Sequence, residues 1–129
     1  MTQEDKELLL QDLCGRLPYK VKVTTTNTAV KFGVISGISI ENKISVRTKH
    51  ADIVFNCTEV KPYLFSLSSM TEEQKVIYGD LCYAVIHSLA WDMQAALNEL
   101  VDWLNKNYFD FRGLIPKDLA VDATGLNIY

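Results

Sequence analysis

The sequence predicts an α+β fold in one domain spanning residues 1–129. Three observations carry that expectation. Apolar residues alternate with polar ones between residues 19 and 57, which is strand periodicity. On either side, residues 3–14 and 71–107 show apolar positions three and four apart, which is helix periodicity. Where the last helical stretch ends, the chain places Trp103, Tyr108, Phe109 and Phe111 within nine positions. The expected architecture is an N-terminal helix, a bent four-stranded antiparallel sheet resembling half a barrel, two further helices and an aromatic C-terminal strap.

The first helix is expected over residues 3–14, with Thr2 as its cap and Glu4 and Asp5 set in the positive first turn. Leu9, Leu10, Leu13 and Cys14 form its buried stripe, and Gly15 and Pro18 end it. In the first strand Tyr19, Val21 and Val23 face inward while Lys20 and Lys22 face out. Thr26, Asn27 and Thr28 make a turn. A single long strand from residue 30 to 40 is then expected to turn Val30, Phe32, Val34, Ser36, Ile38 and Ile40 inward. Its two glycines, Gly33 and Gly37, share a face and predict a coil or bulge.

A tight turn at Glu41, Asn42 and Lys43 leads to a strand with Ile44 and Val46 inward and Arg47 and Lys49 outward. The fourth strand buries Ile53, Phe55 and Cys57, after which Lys61, Pro62 and Tyr63 leave the sheet. Thr71 and Gln74 have the spacing of a capping box and start a helix. That helix is apolar nearly all round from Leu81 to Ile86, as a central buried helix is. Continued to Asn107 it would span about 50 Å at 1.5 Å per residue, so a break is expected near residues 89–92, with Asp92 capping the next helix.

The last helix carries a stripe of Met93, Ala96, Leu97, Leu100, Val101, Trp103 and Leu104, and Lys106 suits its carbonyl end. Asn107 is expected in the left-handed position just past it. Gly113 is free to take positive φ and Pro116 bars further helix. The rings that follow the helix are expected to fold back on the core, and the competing reading is an exposed patch for a partner. Residues 117–129 close the chain as a short turn or extended strap.

Net charge is −3, unevenly spread. Residues 20–61 carry +4, whereas residues 1–19 carry −2 and residues 66–129 carry −5. Cys14, Cys57 and Cys82 are odd in number and far apart, which argues against a disulfide framework and for the cytoplasm. The acidic start lacks a leader pattern, and no run of apolar residues is long enough to span a bilayer.

Residues 61–74 (KPYLFSLSSMTEEQ), 103–124 (WLNKNYFDFRGLIPKDLAVDAT) and 4–19 (EDKELLLQDLCGRLPY) resemble an uncharacterised family of short proteins from Bacteroides-type gut bacteria and their mobile elements. The resemblance covers somewhat under half of the chain. It implies a bacterial or prophage origin and assigns no catalytic residue. Asp118 departs from the pattern, where glycine is expected, and Asp is among the residues that tolerate left-handed φ.

Functional chemistry is sparse. His87 lies on the apolar helix and reads as a core or rim histidine, and His50 reads as exposed. Cys82 has apolar neighbours, which suit an inert thiol. Asp110 and Arg112 are spaced for a local pair. No hydrolase, nucleotide-binding or metal-ligand pattern is found, so no catalytic residue, metal or cofactor is assigned. The outward bases Lys20, Lys22, Lys31, Arg47 and Lys49 form a candidate nucleic-acid face. Charges on wet strands also protect sheet edges, and Tyr19, Phe32 and Phe55 are expected to point inward, away from any base. The leading expectation is a small non-enzymatic protein-interaction or oligomerising module, with an unknown partner or a copy of itself. Nucleic-acid binding comes second and an enzyme third.

Overall fold

The computed structural model describes residues 1–26, 32–88 and 92–129. Asn27, Thr28, Val30, Lys31 and the expected break at residues 89–91 lie outside the described residues. The fold is α+β, with helices against a mixed sheet of six strands.

Helix α1 runs Gln3–Arg16, and Thr2 and Asp5 form a reciprocal capping box. It does not end at residue 14. Gly15 stays helical, and the side chains of Asn105 and Arg112 stand 3.2 and 3.4 Å from where its Cβ would be, so this glycine makes room for packing. A 3₁₀ turn, Leu17–Tyr19, follows, and Lys20 at φ 55° redirects the chain. The buried stripe of α1 is Leu9, Asp12, Leu13 and Arg16, while Cys14 is exposed. The expected stripe was one position off at its end because two charged residues enter the core as a pair.

The strands are β1 (Lys22–Thr25), β2 (Gly33–Ile38), β3 (Lys43–Arg47), β4 (Asp52–Asn56), β5 (Val60–Leu64) and β6 (Val121–Asp122). Their order is β4-β3-β2-β1-β5-β6, antiparallel except for the parallel β5–β6 pair. Val21, Val23, Ile44, Val46, Phe55 and Cys57 are buried as their parity requires.

The parity of β2 is the reverse of the expected one. Gly33 and Ile35 face the core, Phe32 is 45% exposed and Ile40 is fully exposed. A register shift between Ile35 and Gly37 then brings Ile38 against the core. Gly33 decides the register, because a Cβ there would stand 2.4 Å from Val46 Cγ1. A one-residue error in a strand exchanges its two faces. The long strand is thus a shorter, bulged one.

Lys61, Pro62 and Tyr63 do not leave the sheet. They sit in β5, paired with β1 on one side and β6 on the other. Thr26 N donates to Glu59 O at 3.0 Å, so Glu59 and Lys61 turn their polar groups to β1 and Pro62 turns its missing N–H the other way. On that edge β6 reaches only Tyr63 and Leu64, so no ladder bond is lost.

Helices α2 (Glu72–His87) and α3 (Met93–Lys106) form a hairpin. The Thr71–Gln74 capping box starts α2, whereas Asp92 stands at the N-cap of α3 without a side-chain cap bond. Asn107 keeps φ at −97°, and it is Tyr108, at φ 61°, that takes the left-handed position. Gly113 (φ 78°) and Asp118 (φ 58°) take the positive φ expected of them. The main core lies between the sheet, α1 and the residues around Leu114 and Leu119. A second cluster of Met70, Leu104 and Phe109, flanked by Tyr78, Leu100 and Trp103, joins the hairpin to that body.

Candidate interaction face

The aromatic strap is held by charge as well as by burial. Phe109 is buried and its carbonyl accepts from Arg16 Nη2 at 2.6 Å. Arg16 Nε donates to Asp12 Oδ2 and Arg112 Nη1 to Asp12 Oδ1, each at 2.8 Å, with Asp12 and Arg16 fully buried. The Phe111 ring lies near both guanidinium groups, 5.6 Å from Arg16 and 4.2 Å from Arg112. The expected Asp110–Arg112 pair therefore does not form. Asp110 instead accepts from the N–H groups of Leu114 and Ile115 at 2.8 Å, which caps the following turn. Trp103 is half-buried, stacked between Tyr78 and Phe109. Tyr108 stacks on Tyr129 at 3.8 Å and donates its hydroxyl to Tyr19 O. Burial pushes the Tyr108 phenol up, with nearby Arg16 opposing. Most of the strap's aromatic surface is consumed in tying α1, β1, β5 and α3 together.

The basic residues are less free than their outward parity suggests. Lys22 is half-buried, donates its ammonium to Ile128 O and lies 5.4 Å from the rings of both Phe32 and Tyr129. Its backbone N–H donates to the Tyr129 hydroxyl, which in turn donates to Tyr63 O, each at 2.9 Å. The hydroxyl end of Tyr129 is thus enclosed although the residue is partly exposed, and burial holds its phenol well above the ordinary range. Arg47 is exposed but pairs with Asp52, whose hydrogen bond and charge hold the guanidinium pKa up. Lys31 lies outside the described residues. Lys20 and Lys49 stand exposed. A shallow groove of about 380 Å³ between Lys20 and Arg47 is lined by Leu17, Val34, Ile35 and Ser36, with no ring for a base to stack on.

Helix α2 is the largest departure from expectation. None of its described residues is buried, and Val76, Tyr83 and Ile86 are 64%, 63% and 74% exposed. Its half-buried residues, Gln74, Tyr78, Leu81, Cys82, Val85 and Ser88, lie along one side, toward α3 and the second core cluster. Residues 76, 79, 83 and 86 recur at spacings of three and four on the opposite side, which places them on one face of the helix. Gly79 sits in the middle of this face. A Cβ there would meet nothing within 4 Å, and its φ is not positive, so nothing among the described residues requires glycine. In a helix interior glycine costs about 1 kcal/mol relative to alanine.

The reactive groups are scattered. His87 is exposed, not buried, and stacks on Tyr83 at 4.0 Å. Cys82 is half-buried beside Tyr78, whose phenol burial pushes up. Among the described residues no three His, Cys, Asp or Glu side chains converge as a metal set, and no helix is long and apolar enough to cross a membrane. The aromatic candidates of the sequence, Trp103, Tyr108, Phe109 and Phe111, do not include the exposed Val76, Tyr83 and Ile86. The signal was available: Leu81–Ile86 is apolar on more sides than one hairpin partner covers.

No family model matches the chain, and no curated protein or solved structure matches it either.

Proposed function

We infer that this protein is a non-enzymatic interaction module that presents the outer face of α2 to another protein. The observation that carries the reading is the row of Val76, Tyr83 and Ile86, three large apolar side chains left open on one helix. Burying such surface yields roughly 25 cal/mol per Å², so a row of this kind favours a protein partner over water. The bacterial or prophage origin and the cytoplasmic setting belong to the same proposal. They rest on the resemblance of residues 4–19, 61–74 and 103–124 and on the three unpaired cysteines.

The nucleic-acid reading is weaker, because Lys22 and Arg47 are engaged within the fold and would have to leave those partners to hold phosphate. A sedimentation measurement on tagged chain held above about 100 μM in a bacterial extract tests the interaction reading. Wild type is expected to migrate as an assembly and the Val76→Lys/Ile86→Lys variant near the 14.6 kDa of one chain. Wild type migrating at monomer size as well would overturn it.

A further inference from the structure

We propose that the partner of α2 is the α2 helix of a second copy, packed antiparallel across a two-fold axis between Gly79 and Tyr83. The inference rests on the interaction reading above and deepens it by naming the occupant.

The seam is self-complementary in that one arrangement. Its order along the helix is Val76, Gly79, Tyr83, Ile86, which is medium, absent, large, medium. Reversing a second copy about the midpoint sets Val76 opposite the partner's Ile86 and Gly79 opposite the partner's Tyr83. Each ring then lands where the facing helix has no side chain, and the open space over Gly79 is filled twice. A parallel pairing puts Tyr83 against Tyr83 and leaves glycine against glycine, so the two large rings collide while the small positions stay empty. The glycine, which no described residue of the chain packs against, has a use in the antiparallel pair and none in the parallel one.

The size of the contact is consistent with a modest dimer. A helix of 16 residues is about 24 Å long. Paired along its length it would bury on the order of 600 Å² per protomer, near the lower end for stable association. Asp80 lies on the flank of the seam close to the two-fold and would face its own copy, which opposes association. The expected dissociation constant is therefore micromolar, on the order of 1–100 μM.

The test is sedimentation of the purified chain from 1 to 200 μM, together with thiol cross-linking in a Cys14→Ser/Cys82→Ala background. A monomer–dimer equilibrium is expected. Gly79→Leu should weaken it at least about tenfold without loss of helical signal, because the added side chain occupies the position of the facing ring. Asp80→Asn should tighten it. On oxidation, an equal mixture of Val76→Cys and Ile86→Cys chains should cross-link, and neither chain alone should, because like positions then stand about 15 Å apart along the axis. Cross-linking of each chain with itself would overturn the antiparallel arrangement. A monomer throughout the concentration range would overturn self-association. If that monomer still assembles in the extract through Val76 and Ile86, the interaction reading survives with a different partner; if it does not, both fall.

Discussion

The sheet body and the α2–α3 hairpin are built on opposite principles. In the body, apolar side chains from α1, β1 to β5 and the strap meet in one core, and residues far apart in sequence are tied by polar links. Arg16 reaches Phe109, Arg112 reaches Asp12, and Lys22 and Tyr63 meet Tyr129. The hairpin has one internal face, an aromatic stack of Tyr78, Trp103 and Phe109 at its foot, and an outer side that remains apolar. Apolar surface that a small domain leaves open on a whole helix face is surface its own core had no room for. The described body is covered by its own chain, and the outer face of α2 is left exposed.

The strongest way to break this contrast is to remove the charge that the body shares. Asp12 pairs with two guanidinium groups, one of them fully buried, and offsets one of their two charges. Asp12→Ala is expected to cost about 3–5 kcal/mol, because it leaves an uncompensated buried charge. Chemical denaturation checks this, and a loss below about 1 kcal/mol would show that α1 and the strap hold together by packing alone. The hairpin should respond differently. Trp103→Ala removes the ring between Tyr78 and Phe109, and because Trp103 is only half-buried the cost should fall to about 2–3 kcal/mol, below the usual range for a core tryptophan. Amide exchange should quicken in α2 while β1 to β4 keep their protection. Equal loss in both regions would make hairpin and body a single cooperative unit.

The smallest expected effect concerns the closure of the C-terminus. Burial raises the Tyr129 phenol above its unfolded value of about 10. The neutral form is thus favoured in the fold, so the contribution is complete below about pH 10 and is lost as pH rises toward the folded value. Thermal unfolding of wild type should fall more steeply above pH 10 than that of Tyr129→Phe. Parallel curves would show that the hydroxyl is open to water in the folded chain.

Local chemistry in the sequence was enough for many elements. Thr2 and Thr71 marked both helix starts through boxes that close within four residues. Ile44, Val46, Phe55 and Cys57 declared their face by alternation, Gly113 its turn, and Asp118 its left-handed backbone. Each of these depends on neighbours a few bonds away, which any reader of the chain can see. The candidate site was not legible in that way. Whether Leu81–Ile86 meant a buried helix or an open one depended on how many elements came to cover it, and among the described residues only α3 and the aromatic cluster did.

The remaining differences share one physical cause, which is that a distant residue altered the local balance. Asp12 and Arg16 entered the core because Arg112 and the Phe109 carbonyl came to meet them. The face of β2 was chosen by Val46 pressing on Gly33. Pro62 could sit inside the sheet because β6 begins to pair only at Tyr63. Lys22 left the wet side of its strand for the company of Phe32, Tyr129 and the Ile128 carbonyl. The sequence by itself determined where helices begin, where turns fall and which class of fold results, because those are short-range free energies of backbone and side chain. Tertiary structure alone decided which charges were buried, which face of β2 was covered and which apolar helix was left open, because those depend on what else is available to cover them.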